Sequence, residues 1–268
     1  MKDITKWSIG IFDSGIGGIT VLRAIRRLLP DENIVYLGDT ARVPYGNRSP
    51  DTILRYSREN TRFLMEKGIK ILVVACNTSS SIALDYLRAT LPVSVVGVVE
   101  PAAAKAVSLS KTGRIGVIGT AATIRSMAYL KAIKRLRKRT TVISKACPLF
   151  VPLVEEGFID GRVTYLIAEK YLNELKKKDL DVLILGCTHY PLLTKVIQNV
   201  IGAGVKLVDS GEEAAGIVEG ILAGEGILNK GKKGRIDYYV TDSTNNFKTL
   251  GKTFFGSKIN GVKTIDIL

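Results

Sequence analysis

Ile71-Leu72-Val73-Val74-Ala75-Cys76 reads as a short apolar strand ending on a cysteine, and Val182-Leu183-Ile184-Leu185-Gly186-Cys187 repeats it later in the chain. Unbroken apolar runs of this length suit strands buried on both faces, the situation of a parallel sheet covered by helices. A second matching pair precedes the first at a nearly equal offset: Ile9-Gly10-Ile11-Phe12-Asp13-Ser14 against Ile115-Gly116-Val117-Ile118-Gly119-Thr120. Short apolar strands resemble one another by chance, so one match would mean little. Two in the same order point to a duplicated chain.

Around these strands, β-branched runs alternate with longer segments of helical period, and the junctions carry Gly, Asn, Ser or Thr. That is the pattern of a wound α/β fold. Strands are predicted over 7–12, 34–37, 70–75, 93–96, 114–118, 140–144, 181–186, 205–208, 236–240 and 262–267. Helices are predicted over 18–29, 50–66, 79–90, 100–109, 123–138, 161–177, 191–200, 211–223 and 244–251. Ser49-Pro50 supplies an N-cap and a first-turn proline for the second of these helices. The expected fold is two similar wound parallel-sheet domains related by internal pseudo-symmetry, with the active site in the cleft between them. Residues beyond about 208 fit neither half. Returning them to the first gives a discontinuous domain of 1–97 plus 209–268, with 98–208 inserted as the second.

Composition narrows the class. The chain has 268 residues, is 46% hydrophobic and contains no apolar run near the roughly 20 residues that a membrane helix needs. Met1 to Ser8 lacks the apolar stretch of a signal peptide, so a cytoplasmic location is expected. The net charge of +14 would serve a nucleic acid, an acidic surface or the capture of a small anion. The basic residues gather in Lys131, Lys134, Arg135, Arg137, Lys138 and Arg139, in Lys176 to Lys178, and in Lys230, Lys232 and Lys233. No aromatics interleave with them as a stacking platform would require, and two of the runs fall late in predicted helices, where cations suit the dipole. They read as solvated faces.

The three cysteines, Cys76, Cys147 and Cys187, make neither an even framework nor a CxxC pair, which argues against a disulfide scaffold or a zinc ribbon. Cys147, before Pro148 and outside the repeated positions, reads as an ordinary buried thiol. Cys76 and Cys187 differ. Both lie at carboxyl ends of strands, where open α/β sheets bind ligands, and both precede helices whose free N–H groups are expected to favour thiolate. Polar triplets follow them, Asn77-Thr78-Ser79 and Thr188-His189-Tyr190. Two halves folded face to face would bring the thiols to one cleft. Inverting a stereocentre needs such a pair, a base on one face and an acid on the other, and a thiol titrates close enough to neutrality to serve as either. The halves differ in their helpers: Asp13 corresponds to Gly119 and His189 to Thr78, so each thiol gains a separate ionisable neighbour.

Taken together, Asp13-Ser14-Gly15-Ile16-Gly17-Gly18, Pro44-Tyr45-Gly46, Cys76-Asn77-Thr78 and Gly186-Cys187-Thr188-His189 resemble the ordered signature motifs of the cofactor-independent glutamate racemases. The likeness runs from residue 9 to about 211. It implies Cys76 and Cys187 as the acid/base pair and Asp13, His189 and Glu155 as their helpers. Glu155 is expected to support His189, although residue chemistry alone would rank it as a surface charge. Substrate would be held by Asp13-Ser14, Tyr45-Gly46, Asn77-Thr78 and Thr188-His189. The resemblance further implies no cofactor, no metal, glutamate as the small-molecule partner, and supply of D-glutamate for peptidoglycan. A homodimer that requires no membrane and no nucleic acid completes the expectation.

The glycine-rich segment Gly15-Ile16-Gly17-Gly18 opens a helix after a strand, but it completes no G-x-G-x-x-G and no Walker lysine follows. Its use is to turn tightly and offer N–H groups and Ser14 to an anion. The loop 38–49 is long for a strand-to-helix connection and is expected to line the site. Because the α-proton is far less acidic than a thiol, donors such as Asn77, Thr78 and Thr188 must stabilise charge developing on the α-carboxylate. Three rivals stand beside this reading. An aspartate or hydantoin racemase would share the paired cysteines and differ in substrate range. A basic nucleic-acid-binding or regulatory protein would bind DNA in a salt-dependent way without turnover. A thiol–metal site on Cys76, Cys187 and His189 would lose function to a chelator.

Overall fold

The computed structural model describes residues 3–231 and 233–267. Met1, Lys2, Lys232 and Leu268 lie outside the described residues, and with them the outermost ends of the first domain, Met1 of the leader segment and Lys232 of the third basic run. In chain order the strands are β1 (Ser8–Asp13), β2 (Ile34–Gly38), β3 (Ile69–Val74), β4 (Ser94–Gly97), β5 (Arg114–Gly119), β6 (Thr141–Ala146), β7 (Val182–Gly186), β8 (Lys206–Asp209), β9 (Ile236–Val240) and β10 (Lys263–Thr264). They form two sheets, ordered β10-β9-β2-β1-β3-β4 and β6-β5-β7-β8, and the pairings are parallel in both.

The duplication read from the sequence is visible in this topology. The order β2-β1-β3-β4 in one sheet recurs as β6-β5-β7-β8 in the other. The two matched sequence pairs fall on equivalent strands, β1 with β5 and β3 with β7. β9 and β10, from the residues that fitted neither half, extend the first sheet beyond β2. In each sheet the strand order reverses direction between the first strand and the third, β1/β3 and β5/β7. The crevice beyond the carboxyl ends at such a switch point is where a wound sheet receives a ligand. Cys76 and Cys187 follow β3 and β7 at those two points.

The helices are α1 (Ile19–Leu28), α2 (Pro50–Glu66), α3 (Asn77–Ile82), α4 (Leu84–Thr90), α5 (Val99–Leu109), α6 (Ala121–Arg125), α7 (Ala128–Leu136), α8 (Phe150–Glu155), α9 (Arg162–Lys176), α10 (Thr194–Ile201), α11 (Ser210–Gly224) and α12 (Thr244–Phe255). Ser49 caps α2 as expected, its Oγ accepting from the Thr52 N–H, with Pro50 in the first turn. Three predicted helices need correction. The one placed at 79–90 begins at Asn77 and breaks at Ala83 into α3 and α4. The one at 123–138 breaks into α6 and α7 at Met127, which takes a left-handed conformation (φ 56°). The one at 191–200 starts with a 3-10 turn, Tyr190–Leu193. Periodicity alone runs through such breaks, because the apolar spacing survives a one-residue kink. The short α8, with Pro152 inside it, was not predicted.

β1, β3 and β7 are buried at every residue, as their apolar runs require. α1 adds Ile19, Val21, Leu22, Ala24 and Ile25 to the core, the larger side chains each contributing about 1.5–3 kcal/mol by burial. One apolar cluster runs through both halves, joining Ile9 and Ile11 of β1 and Ile71 and Val73 of β3 to Leu183 and Leu185 of β7 and Ala168 and Leu172 of α9. Among the described residues, no helix is long and apolar enough to cross a membrane.

Candidate active site

A cavity of about 360 Å³ opens between the two sheets' carboxyl edges. It is lined from one side by Ser14, Tyr45, Gly46, Cys76, Asn77 and Thr78 and from the other by Thr120, Glu155, Cys187, Thr188 and His189. Both thiols are free, buried and present in this one space. The sequence-nominated residues are thereby brought together, with one exception. Asp13 is fully buried behind the lining, at the end of β1.

The surroundings of the thiols differ. Cys76 is the N-cap of α3, and its Sγ lies 3.6 Å from Ser14 Oγ. Burial pushes this thiol up to about 11, the nearby Asp13 charge adds to the rise, and the Ser79 and Ser14 contacts only partly oppose it. The expectation that a helix N-terminus would favour thiolate at Cys76 is therefore wrong: desolvation and a neighbouring carboxylate outweigh the N–H groups. Asp13 is itself raised, chiefly by burial, against the pull of His189 and of the N–H groups of Gly18, Gly15 and Ser14. Its Oδ2 accepts from the Gly15 N–H at 3.0 Å, while buried Oδ1 has no hydrogen-bond partner among the described residues. The Asp13 charge and burial thus act in the same direction on Cys76, against its thiolate.

Cys187 faces His189 instead, with Sγ 3.9 Å from Nδ1. The other ring nitrogen, Nε2, lies 3.0 Å from Glu155 Oε1. Burial alone would lower His189, but its hydrogen bonds to Cys187 and Glu155 and their charges win, holding the imidazole up at about 10. Glu155 reaches it from the end of α8, whose Phe150 stacks edge-on against Tyr190 at 5.3 Å, while the Tyr190 hydroxyl donates to the Cys147 carbonyl. Cys147 is buried, and burial raises its thiol. It packs beneath the site and does not line it, as its reading as an ordinary buried cysteine requires.

The glycine-rich turn and the long loop carry the first half onto the second. A Cβ added to Gly17 would overlap Thr188 and His189, and the Thr20 hydroxyl donates to the Thr188 carbonyl at 3.0 Å. Gly46 abuts Thr120 in the same way. Loop 38–49 is staked from behind by buried Asp39, which accepts from the Tyr45 hydroxyl, from Arg42 Nε and from Thr241 Oγ1. Asn60 Nδ2 donates to the Tyr45 oxygen. Tyr45 thus lines the cavity while its hydroxyl is occupied by Asp39 and Asn60.

The side chain of Asn77 is likewise engaged. Its Oδ1 accepts from the Tyr129 hydroxyl at 2.6 Å and its Nδ2 donates to Ser210 Oγ at 3.1 Å. Thr78, Thr120 and Thr123 form a triangle of hydroxyls 2.9–3.2 Å apart across the cleft. Thr120, Tyr129 and Ser210 were missed by sequence reasoning. Only Thr120 had a signal, since the repeat pairs it with Ser14; the other two act from outside the motifs. Among the described residues, no group of three or more His, Cys, Asp and Glu side chains could hold a metal ion.

The chain resembles known proteins over nearly its whole length. The family model described as Asp/Glu/Hydantoin racemase matches residues 10–218. Glutamate racemase of Geobacter metallireducens is 52% identical over 97% of this chain and 97% of its own length. Among solved structures, a glutamate racemase isoform of Bacillus anthracis superposes with a TM-score of 0.95 at 39% identity, covering 98% of both chains. The glutamate racemase of Francisella tularensis, solved in complex with D-glutamate, superposes at 0.93 with 35% identity and the same coverage.

Proposed function

This chain belongs to the Asp/Glu/hydantoin racemase family and, within it, to the glutamate racemases, and from that premise we propose that it interconverts L- and D-glutamate through Cys76 and Cys187 as opposed acid and base. One observation carries the assignment of roles: two buried thiols, at equivalent strand ends of a duplicated fold, open on a single cavity.

In one direction, the Cys187 sulfur, as thiolate beside the His189 imidazolium, takes the α-proton and becomes a thiol. The Cys76 thiol gives its proton to the opposite face and is left as thiolate next to Asp13. The reverse reaction starts from that second state. Asp13, buried behind Cys76, disfavours its thiolate and so keeps it protonated as the acid; His189, held by Glu155, serves Cys187. The developing charge on the α-carboxylate is to be met by preorganised donors, for which the cavity-lining Ser14, Thr78 and Thr188 and the polypeptide around Tyr45-Gly46 and Asn77 are the candidates. Asn77 contributes its remaining Nδ2 hydrogen. The +14 net charge favours capture of an amino acid whose two carboxylates outweigh its one ammonium.

This reading includes residues 1–97 with 209–268 as one domain and 98–208 as the other, and a cytoplasmic enzyme that supplies D-glutamate for peptidoglycan. A homodimer is part of it, favoured by the exposed apolar side chains Leu149, Phe158, Ile159, Val163 and Leu166 of the second half. Incubation with either enantiomer in D₂O, without added pyridoxal phosphate, tests the chemistry. Racemisation with one α-deuterium per inversion is expected; unchanged optical rotation and no α-deuterium would refute it.

A further inference from the structure

Asn77, the residue after Cys76, is tied by both ends of its amide to the strand that delivers Cys187. One arm runs from Oδ1 to the Tyr129 hydroxyl at 2.6 Å. The Tyr129 ring lies over Gly186, the residue before Cys187, so closely that a Cβ there would stand 3.0 Å from Tyr129 Cε2. The other arm runs from Nδ2 to Ser210 Oγ at 3.1 Å, and Ser210 passes its own proton to the Leu185 carbonyl at 3.3 Å, one residue further back on β7. All three side chains are buried, and neither Tyr129 nor Ser210 lines the cavity. The circuit closes in hydrogen-bond terms: Tyr129 donates, Asn77 accepts and donates, and Ser210 accepts and donates.

We infer that Tyr129 and Ser210 are positioning residues that fix, through Asn77, the separation of the two sulfurs across the substrate carbon. The inference rests on the two-thiol reading above. Its physical basis is that a two-sided proton transfer requires both sulfurs within reach of one carbon at once, so a lateral slip of one half against the other harms the chemical step before it harms binding. A polar pair laid between the halves resists that slip better than apolar packing, because the direction of each hydrogen bond fixes a position where dispersion contacts allow sliding. Tyr129 lies on α7, just after the left-handed break at Met127. That break separates α6, which carries Thr123 toward the cleft, from α7, which turns Tyr129 toward the seam.

The test is steady-state kinetics in both directions on the full chain with Tyr129→Phe and Ser210→Ala. Each is expected to lower kcat by on the order of 10- to 100-fold, the penalty of a sub-ångström to ångström misplacement, with KM changed less than about 3-fold. A second readout uses D₂O. When only one thiol reaches the carbon, abstraction followed by return to the same face puts deuterium into recovered substrate, so the ratio of exchange with retention to inversion should rise in both variants. A merely structural role would lower the folded fraction without changing that ratio. Should Tyr129→Phe fail to fold, Ser210→Ala carries the test alone. Unchanged kcat and an unchanged ratio in folded Ser210→Ala would overturn the proposal. Cys76→Ser and Cys187→Ser are run in parallel. If these are inactive while the bridge variants behave normally, the bridge alone fails; if either still racemises at full rate, the two-thiol reading fails first.

Discussion

His189 Nε2 lies 3.0 Å from Glu155 Oε1, on the side of the ring opposite the one it turns to Cys187. Glu155 therefore orients the imidazole and, second to Cys187, favours its charged form. Glu155→Gln keeps a hydrogen-bond acceptor and removes the charge, so His189 should lose its proton at lower pH. The expected result is a roughly 10-fold fall in kcat at neutral pH and an alkaline limb of the pH–rate profile displaced downward. An undisplaced limb would mean that Glu155 only packs.

Replacing either thiol should cost far more. With Cys76→Ala or Cys187→Ala, one face of the substrate carbon has no proton carrier, and racemisation should fall by at least about 100- to 10,000-fold. Polarimetry with each enantiomer measures it. Cys147→Ala should leave kcat close to that of the unaltered protein, because that sulfur lies outside the cavity.

Much of this arrangement was legible in the sequence because parallel sheets write themselves plainly. Buried strands are apolar without interruption, so the β3 and β7 runs announced both the fold and the two strand ends that open on one cavity. The duplication followed from the same runs. What the sequence concealed was direction. A helix N-terminus suggested a thiolate at Cys76, but the signal for a raised thiol is burial plus Asp13, which are properties of packing. Asn77 and Tyr45 are expected substrate contacts by resemblance, and what the sequence did not reveal is that the Asn77 amide also bonds Tyr129 and Ser210 while the Tyr45 hydroxyl bonds Asp39 and Asn60. Glu155 resembled a surface charge because nothing local marks α8, with its internal Pro152, as a helix.

The raised His189 and Cys76 imply an alkaline loss of stability. Both groups bind their protons more tightly when folded, His189 at about 10 against an ordinary 6.5 and Cys76 at about 11 against 9.0. Stability from the first is whole below pH 6.5 and disappears as pH rises through 10; that from the second is whole below 9 and disappears through 11. Urea midpoints should fall steadily from pH 6.5 to 10, and the fall below pH 9 should flatten in His189→Asn. A midpoint that rises over this range would contradict the assignment.

Gly17 is a steric requirement. A methyl group there would collide with Thr188 and His189, neither of which can retreat without disturbing the Cys187 side of the cavity. Gly17→Ala should lower kcat/KM by about 100-fold, and a crystal structure should show the His189 ring displaced from Glu155.

Asp39 holds loop 38–49 through Arg42, Tyr45 and Thr241 while itself fully buried. Asp39→Ala leaves the Arg42 guanidinium, only 12% exposed, with less of its partner charge. Glu59 still pairs with Arg42, so the loss expected is that of the buried hydrogen bonds, about 1–3 kcal/mol in unfolding free energy, together with a raised KM as Tyr45-Gly46 loosens. Denaturant titration and saturation kinetics read the two effects separately.

The apolar cluster that threads both sheets has a bearing on ancestry. Two copies of a gene segment would at first have encoded self-sufficient modules, yet Ile71 and Leu185 now belong to one interior. Each half keeps an apolar cluster of its own, Phe12 with Leu72 in the first and Ile115 with Ile184 in the second, and shares this third one with its neighbour. The halves are joined through that third cluster, so the unfolding of either one strips cover from the other.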